Sequence, residues 1–493
     1  MPHAILILSK IRVGMRSLRR FSTAVAHDAV PAAVAERFAG RYALGKNQSP
    51  VGHKAGAEFL RGNVATRVIG GACSEVLGGA NLAALLREGF ELEARAMAAL
   101  TGGMPAETLS IHTSAGVPPQ LETFIDALAP HLPVDDDDWC LNLQAEGASA
   151  VHAAIDMCLQ ASGQNISSPS ARTGVAVGQT SYHGPPSTSP GGSAPLGSRA
   201  KGLTLDAQYP VPTPFFRRRG EDSESFYARK LAEFKMYLDE HEHEIAVVLF
   251  EPQWGSSAAA MPWPPQLLKA YTDAAKARGL MVISDEIMCG LGRHGHEPAA
   301  GGTGCFLAEV WDLQPDAITF GKAIGGGAGH LLSGAALLKG ASKLASGGHG
   351  TALQSHTYAG SSARALLNGT ALLNTLPKWR PNVQKIGATI GGIVSELQEK
   401  SGGAIVCHGQ GAKWGGIFAH EDAAARQAAN VVFKKRCADK RVLPYFVPVG
   451  GFMLTPRYDD DVEELRKAVT DLAECALATT REMKWAPEVL ISA

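Results

Sequence analysis

The sequence predicts an α/β fold in which a mainly parallel sheet is covered by helices. Two observations indicate this fold. Strand-like apolar runs alternate with helix-like stretches over residues 103–490. The run at residues 245–250 is apolar at every position, as expected of a strand that is buried on both faces of a parallel sheet.

The central elements follow one another closely along the chain. Residues 174–177 predict a strand, and residues 245–250 predict the next one. Pro264-Pro265 then opens a helix with apolar residues on one face, Gly279 ends that helix, and residues 281–284 predict another strand. Strands that alternate with helices in this way form parallel sheets, whose ligands bind beyond the carboxyl ends of the strands.

The pattern changes at about residue 376, where a smaller unit begins. Strands are predicted near residues 404–407, 415–418 and 442–447. A final helix starts after the acidic cap at residues 459–461, and its apolar residues recur at helical spacing. We therefore expect a small α+β domain in this part of the chain.

Length and charge exclude several classes of function. A chain of 493 residues with 45% hydrophobic residues can bury a large core. Its 46 basic and 47 acidic residues give no electrostatic footprint for nucleic acid or for an acidic membrane surface, so we expect neither partner.

The eight cysteines form no C-x-x-C pair, as expected of reduced thiols inside a cell. No apolar run is long enough to cross a bilayer.

The first 27 residues differ from the rest of the chain. They carry five basic residues among apolar ones, and no acidic residue precedes Asp28. Residues 19–23, Arg-Arg-Phe-Ser-Thr, resemble a mitochondrial presequence cleavage site, so we predict a mitochondrial protein. A secretory signal fits less well because the apolar run is too short, and a disordered basic tail is the remaining alternative.

Two charged residues stand beside these apolar strands. Lys322 lies in the segment at residues 316–327, between a short apolar strand and a run of glycines, where we expect nearly complete burial. Desolvation lowers the pKa of a lysine and leaves a free amine, the form that condenses with an aldehyde. Asp285 ends the strand at residues 281–284, and a carboxylate is the partner of the pyridinium nitrogen in pyridoxal phosphate (PLP) chemistry. The two residues together suggest a PLP enzyme.

The order of these segments resembles the class III (ω-amino) aminotransferase family of PLP-dependent fold type I enzymes. Residues 284–295, Ser-Asp-Glu-Ile-Met-Cys-Gly-Leu-Gly-Arg-His-Gly, are similar to the family motif D-E-(V/I)-x-x-G-x-G-R-x-G. Residues 320–327, Phe-Gly-Lys-Ala-Ile-Gly-Gly-Gly, are similar to the motif of the cofactor lysine and follow at the family's spacing. The resemblance covers roughly residues 100–370 well and the C-terminal part less closely.

The resemblance implies a fold type I large domain with a mainly parallel, seven-stranded-type sheet, followed by a smaller α+β domain. Four segments are then predicted: a targeting presequence at 1–27, an N-terminal segment at 28–100, the PLP-binding large domain at 101–375, and the C-terminal small domain at 376–493.

A homodimer is also implied. His356-Thr357-Tyr358 is similar to the family's T-F element, in which the threonine reaches the cofactor phosphate of the neighbouring subunit. The alternative for Thr357 is a loop threonine that caps the helix beginning near Ser361.

The resemblance assigns the contacts to the cofactor ring. Lys322 would bond to the cofactor aldehyde, and Asp285 would hold the ring nitrogen. Tyr182-His183-Gly184 resembles the family's aromatic-His-Gly segment, whose aromatic side chain stacks on the ring. The alternative for Tyr182 is a side chain that packs under a loop.

Two further segments complete the implied cofactor site. Residues 146–149 resemble the phosphate-binding segment, in which the free N–H groups of Gly147 and Ala148 at a helix start would meet the phosphate. Glu251 opens Glu-Pro-Gln-Trp-Gly, which resembles the family's E-P-x-Q-G. The chain departs from the family pattern by having Glu146 for serine, Ser149 for glutamate, Trp254 for glutamine, and Ser361-Ser362 for Asn-Pro. The family's N-terminal D-x-D-G-x-x-Y-L-D-type element is also not found before the large domain.

The implied reaction is ping-pong transamination from an amine or amino acid to a keto acid or aldehyde. The same residues also serve lyases, decarboxylases, epimerases and aminomutases, and a non-catalytic PLP-fold scaffold is a third alternative. A substrate carboxylate requires an arginine or lysine, for which Arg457, Lys413 and Arg364 are candidates. The segment His241-Glu-His243-Glu is interpreted as an exposed helix end, and no metal is predicted.

Overall fold

The structure is a computed structural model. It describes residues 67–69, 76–77, 81, 84, 87–88, 91, 94–95, 118, 120–134, 136–163, 172–178, 181–184, 210–211, 217–218, 220–325, 331–346, 362–420, 422–485 and 490–491. The predicted presequence, most of the predicted N-terminal segment and Thr357 lie outside the described residues.

The chain divides into two compact units. One unit comprises Met1–Val68 and Arg441–Leu443, and two short strands in its described part pair in parallel. The other comprises Ile69–Lys440 and Pro444–Ala493 and contains the large sheet. The division into large and small domains at residues 375 and 376 stays a prediction, and one continuous helix, Ala363–Lys400, spans that point.

Strands with described bounds are numbered in chain order. They are β1 (Arg67–Val68), β2 (Cys140–Gln144), β3 (Gly174–Gly178), β4 (Pro210–Val211), β5 (Arg217–Arg218), β6 (Ile245–Phe250), β7 (Met281–Asp285), β8 (Ala317–Phe320), β9 (Ser333–Leu337), β10 (Ile405–Gln410), β11 (Lys413–Phe418), β12 (Val442–Leu443), β13 (Tyr445–Phe446), β14 (Gly451–Leu454) and β15 (Leu490–Ile491).

The large sheet has seven described strands in the order β2-β9-β8-β7-β6-β3-β4. Among these seven strands, β9 runs in the direction opposite to the other six. Every residue of β6 is buried, as its unbroken apolar sequence predicts for an inner parallel strand. The predicted α/β fold with a seven-stranded, mainly parallel sheet is confirmed.

Helices with described bounds follow the same numbering. They are α1 (Gln120–Leu128), α2 (Gly147–Ala161), α3 (Ser223–Glu240), α4 (Pro265–Lys276), α5 (Leu307–Val310), α6 (Ala341–Ser346), α7 (Ala363–Lys400), α8 (Ala423–Asp439) and α9 (Val462–Met483). The helix predicted to open at Pro264-Pro265 is confirmed, with Pro264 as its N-cap and Pro265 as its first residue. The predicted acidic cap of the last helix is confirmed as well, because the Asp461 carboxylate accepts hydrogen bonds from the N–H groups of Glu463 and Glu464 at 2.9 Å. In the part of the chain that the structure describes, the helices lack an apolar stretch long enough to cross a membrane.

A second sheet has the order β10-β11-β14-β13 and is antiparallel throughout. The strands predicted near residues 404–407 and 415–418 correspond to β10 and β11. The single strand predicted near residues 442–447 is wrong, since this stretch forms two short strands, β12 and β13. Pro444 lies between them and has no N–H group to continue a ladder.

Candidate active site

An open cleft lies at the carboxyl ends of three neighbouring strands, β6, β7 and β8. Glu251 follows β6, Asp285 ends β7, and Lys322 lies two residues beyond β8. Because these strands are adjacent and parallel, their ends meet at one edge of the sheet. The cleft has a volume of about 250 Å³ and is lined by Glu146, Gly147, Ala148, Tyr182, His183, Gly184, Glu251, Asp285, Ile287, Met288 and Lys322.

All the predicted site residues that the structure describes line this cleft. They come from four separate stretches of the chain and are Gly147, Ala148, Tyr182, His183, Glu251, Asp285 and Lys322. The remaining one, Thr357, is outside the described residues. The structure therefore brings the predicted residues together, while the role of each stays a prediction.

Asp285 is a buried carboxylate with three hydrogen-bond donors. His183 Nδ1 lies 2.7 Å from Oδ2, and the Thr319 hydroxyl and the Ile287 N–H donate to Oδ1 at 2.9 and 3.1 Å. Burial alone would raise the pKa of Asp285, but the hydrogen bond and positive charge of His183, with the two other donors, hold it below its ordinary value. Asp285 therefore stays ionised at the bottom of the cleft.

His183 is the positive partner of this carboxylate. Burial lowers the pKa of the imidazole, but the hydrogen bond to Asp285 and the charges of Asp285 and Glu251 outweigh it, so the pKa is raised. Nδ1 is then the donor to Asp285. Nε2 is also buried and has no hydrogen-bond partner among the described residues.

Glu251 fixes the loop that carries Tyr182 and His183. Its Oε1 accepts from the Tyr182 N–H at 3.0 Å, and its Oε2 accepts from the Gly255 N–H at 3.1 Å. Burial raises the pKa of Glu251, although the charge of His183 opposes this shift. Glu251 thus supports the loop through the backbone, a function that the sequence alone does not reveal.

The start of helix α2 forms the opposite wall of the cleft. Glu146 precedes this helix, and its side chain does not cap the first turn. The first N–H groups of a helix have no partner within the helix, so those of Gly147 and Ala148 are oriented to meet an anion. The Glu146 carboxylate is exposed and accepts a hydrogen bond from the Ser149 hydroxyl at 3.3 Å.

Lys322 is half-buried, so the prediction of nearly complete burial is wrong. Lys322 lies two residues beyond the end of β8 and lines the open cleft, so the sheet does not bury its side chain completely. Its φ angle of 41° falls in the left-handed region, which residues other than glycine seldom adopt. Such backbone strain persists only where the surrounding structure holds it, often at functional sites.

The sequence analysis did not identify the supporting roles of Thr319, Trp254 and Ser181. Thr319 lies opposite Asp285 in the β7–β8 pairing, and its signal was a polar residue within an otherwise apolar strand. Trp254 donates from Nε1 to the Ser181 hydroxyl at 3.2 Å and stacks on Trp263, with ring centroids 5.1 Å apart. Trp254 therefore packs behind the Tyr182 loop and does not line the cleft.

The three candidates for a carboxylate clamp do not line the described cleft. Lys413 is completely buried, and its Nζ donates to the Gln253 carbonyl at 3.0 Å. Arg457 pairs with Asp459 and Asp460, and Arg364 is exposed on α7. No clamp is assigned among the described residues.

The geometry of the cleft fits a pyridine ring that carries a phosphate. The buried Asp285 carboxylate is a partner for a ring N–H, and the uncapped start of α2 is a partner for an anion. The Tyr182 side chain is 55% exposed and leaves a ring face open for stacking. Lys322 supplies an amine on the same cleft.

Comparisons with known proteins agree with this geometry. A family model described as aminotransferase class-III matches residues 103–435. The chain is 25% identical over 228 residues to a glutamate-1-semialdehyde 2,1-aminomutase of Chlorobium phaeovibrioides, which covers 46% of this chain and 47% of the relative. It is 32% identical over 168 residues to an acetylornithine aminotransferase of Mycobacterium tuberculosis. This alignment covers 34% of the present chain and 38% of the relative. The chain thus spans less than half the length of these two relatives.

A solved structure shows the same fold. The omega-transferase of Vibrio fluvialis JS17 superposes with a TM-score of 0.67 at 16% identity, and the match covers 85% of this chain and 96% of the other. At this identity the likeness shows the fold alone.

The His183–Asp285 pair should titrate as one unit. With Asp285→Asn, the pKa of His183 should fall below its ordinary value, because burial remains while the negative partner is removed. Nitrogen NMR of the imidazoles across pH 4–9 would measure the shift in protein without ligand. The exposed His243 is the internal control, and a His183 pKa that stays raised in the variant would contradict the assignment.

The same pair predicts how stability depends on pH. The contribution of His183, whose folded pKa is raised, is fully present below about pH 6.5 and is lost as the pH rises through that folded pKa. The contribution of Asp285, whose folded pKa is lowered, is present above about pH 4 and is lost as the pH falls through that folded pKa. The stabilisation by the pair should therefore be largest between these limits. Asp285→Asn should flatten the curve of the free energy of unfolding against pH.

Proposed function

The chain belongs to the class III aminotransferase family, whose members use pyridoxal phosphate, and from this premise we propose that it is a transaminase. The amino group would pass from an amine or amino acid to a keto acid or aldehyde. One observation carries the proposal: an amine, Lys322, and an ionised buried carboxylate, Asp285, line the same cleft at the ends of neighbouring parallel strands.

Bound pyridoxal phosphate supplies an aldehyde that condenses with amines and a ring that accepts the electron pair released when a bond to the amine carbon breaks. Asp285 would hold the proton on the ring nitrogen, because it is buried and ionised. His183 donates to the carboxylate Oδ2 and keeps it oriented. Tyr182, whose side chain is exposed, would stack on the ring.

Lys322 has two tasks in this proposal. Its Nζ would hold the cofactor through the aldehyde. With a donor amine bound in its place, the Nζ would be free to act as the base that removes the proton from the amine carbon and returns it to another carbon. The half-buried position of Lys322 suits both tasks, since the side chain must reach the open cleft.

The phosphate would lie at the start of α2, with the N–H groups of Gly147 and Ala148 as donors. Glu146 adjoins this position, and a carboxylate repels a phosphate. Its exposed side chain and its contact with Ser149 support an arrangement in which it points to solvent.

A second candidate reaction is favoured by one comparison, since a relative over 46% of this chain is named an aminomutase. An aminomutase moves the amino group within one molecule. Both reactions use the same cofactor and lysine, so a half-reaction distinguishes them. A simple amine donor should convert the cofactor to its amine form, and this form should then aminate a separate keto acid. Both results together support transfer between two substrates. Amination of the donor's own product would instead indicate an aminomutase.

Lys322→Ala should abolish turnover and leave a folded protein, because this amine provides both the covalent bond and the proton transfer. Borohydride reduction followed by peptide mass spectrometry should locate the cofactor on Lys322 in the parent protein. The matched control is Lys385→Ala, an exposed lysine of α7, which should keep full activity. A reduced adduct on another lysine would refute the role of Lys322.

We also propose that the working unit is a homodimer with shared active sites, which closed two-fold symmetry would supply. If Thr357 reaches the cofactor phosphate of the partner subunit, Thr357→Ala should weaken PLP binding about ten- to a hundredfold through loss of one charge-assisted hydrogen bond. Co-assembly of Lys322→Ala and Thr357→Ala subunits would then place both lesions in one site. The other site stays intact, so activity at limiting PLP should rise above that of either variant; no recovery would mean that Thr357 serves its own subunit.

We propose a mitochondrial location on the basis of the basic, acid-free N-terminal segment. Residues 1–30 fused to a fluorescent protein should direct it to mitochondria. The control replaces the five basic residues of this segment with glutamine, because a presequence depends on its positive charge. A cytosolic signal from the unaltered fusion would contradict the proposal.

A further inference from the structure

Gln253 is a buried glutamine in the loop that follows β6. It lies between Glu251 and Trp254, and the proposed reaction assigns it no task. A buried amide group is costly unless its donors and its acceptor are hydrogen-bonded. The partners of Gln253 therefore show which parts of the molecule this side chain holds together.

The side chain of Gln253 donates to two backbone segments at once. Its Nε2 donates to the Ala260 carbonyl at 2.8 Å and to the Lys413 carbonyl at 3.0 Å. Ala260 belongs to the same loop as Gln253, whereas Lys413 is the first residue of β11. One amide group therefore ties the loop after β6 to the second sheet.

The second sheet returns two hydrogen bonds to Gln253. The Lys413 Nζ donates to the Gln253 backbone carbonyl at 3.0 Å, and the Gln410 Nε2 donates to Gln253 Oε1 at 3.4 Å. Gln410 ends β10 and Lys413 begins β11, so the two residues flank the turn of one hairpin. The β10–β11 hairpin thus contacts the side chain and the backbone of Gln253.

The loop beyond Gln253 is held in a strained form against the same sheet. Ala259 and Ala260 have φ angles of 51° and 64°, in the left-handed region that residues other than glycine seldom adopt. His408 Nε2 lies 2.9 Å from the Ala259 carbonyl oxygen, and a Cβ at Gly415 would lie 1.8 Å from that oxygen. Such strain persists only where the surrounding contacts hold it, and the bond from Gln253 to the Ala260 carbonyl is one of these contacts.

The residues on either side of Gln253 bond to the loop that carries Tyr182. Glu251 Oε1 accepts from the Tyr182 N–H at 3.0 Å, and Trp254 Nε1 donates to the Ser181 hydroxyl at 3.2 Å. Only a short stretch of backbone separates both residues from Gln253, so a shift of Gln253 moves them as well. The place of the Tyr182 ring at the cleft therefore depends on where the second sheet holds Gln253.

We propose that Gln253 is a positioning residue that locks the loop after β6 to the β10–β11 hairpin, so that Glu251 and Trp254 hold the Tyr182 loop at the cleft. This inference rests on the proposed function only for its consequence for the cofactor. The positioning itself concerns the protein without cofactor and is tested there.

The test compares Gln253→Met, which keeps the length of the side chain and removes its hydrogen bonds, with Gln398→Met. Gln398 Oε1 accepts from the Cys407 N–H at 2.8 Å, so the control removes a glutamine bond to the same sheet at β10. In protein without cofactor, amide exchange at Tyr182 should become about tenfold faster in Gln253→Met and stay unchanged in Gln398→Met. Unchanged exchange at Tyr182 in Gln253→Met would overturn the proposal.

The indole N–H of Trp254 gives a second readout. Its proton NMR resonance is identified by its absence in Trp254→Phe. In Gln253→Met this resonance should move toward that of an indole N–H in water and exchange faster, because the bond to Ser181 is weakened. If Gln253→Met and Gln398→Met lose similar stability and the Trp254 resonance stays in place in both, Gln253 has a purely structural role and the proposal fails.

A milder variant covers the case in which Gln253→Met does not fold. Gln253→Asn keeps the amide group but is one methylene shorter, so it cannot reach both the Ala260 and the Lys413 carbonyls. It should change the Tyr182 and Trp254 signals in the same direction by a smaller amount, and unchanged signals in this variant would count against the proposal. If neither variant folds, Gln253 is a requirement for folding and the positioning role is refuted.

Binding of PLP separates this proposal from the proposed function. The Tyr182 ring should lie on the cofactor face, so Gln253→Met should bind PLP about tenfold more weakly than the parent, and Gln398→Met should bind it like the parent. Equal PLP affinity of Gln253→Met and a parent that binds PLP would refute the consequence for the cofactor. A parent that does not bind PLP but shows the exchange and indole effects would refute the proposed function and leave the role of Gln253 intact.

Discussion

The hydrogen bond between Asp285 and His183 is the interaction on which the rest of the cleft depends. A carboxylate at the end of a buried strand stays ionised only where donors replace the lost water. The imidazolium of His183, 2.7 Å away, does this together with the Thr319 hydroxyl and the Ile287 N–H. These donors belong to the loop at residues 181–184, to β8 and to the turn after β7, so the three must keep one mutual arrangement.

The parallel sheet supplies that arrangement. The pairing of β6, β7 and β8 places Phe250 beside Ser284 and Asp285 beside Thr319, so the residues that follow each strand emerge at the same edge. Glu251 then holds the 181–184 loop from the end of β6. The motif around Asp285 also fixes the second sheet, since the buried Arg293 donates to carbonyls of Ala412 and Pro456. The segment at residues 284–295 therefore contributes Asp285 to the cleft and Arg293 to the contacts with the second sheet.

Periodicity predicted the inner strands β3, β6, β7 and β8, because apolar patterning determines where strands end and which residues follow them. The family resemblance then selected seven of the residues that line the cleft. Tertiary contacts over long sequence distances were not predictable in this way. The half-burial of Lys322 depends on where the cleft opens, and the contact of Glu251 with Tyr182 joins residues 69 positions apart. Nothing in the local sequence of Lys413 reveals that this residue is completely buried. From the sequence alone it therefore remains a candidate clamp for a substrate carboxylate.

The departures from the family pattern separate the two ends of the cleft. Asp285, His183 and Lys322 match the family motifs, and all three line the cleft. Glu146 differs from the family pattern at the start of α2 and is exposed, and Trp254 supports the Tyr182 loop from behind through Ser181. The buried carboxylate with its donors is therefore kept in the family form, whereas the departures lie at the exposed start of a helix and behind a loop.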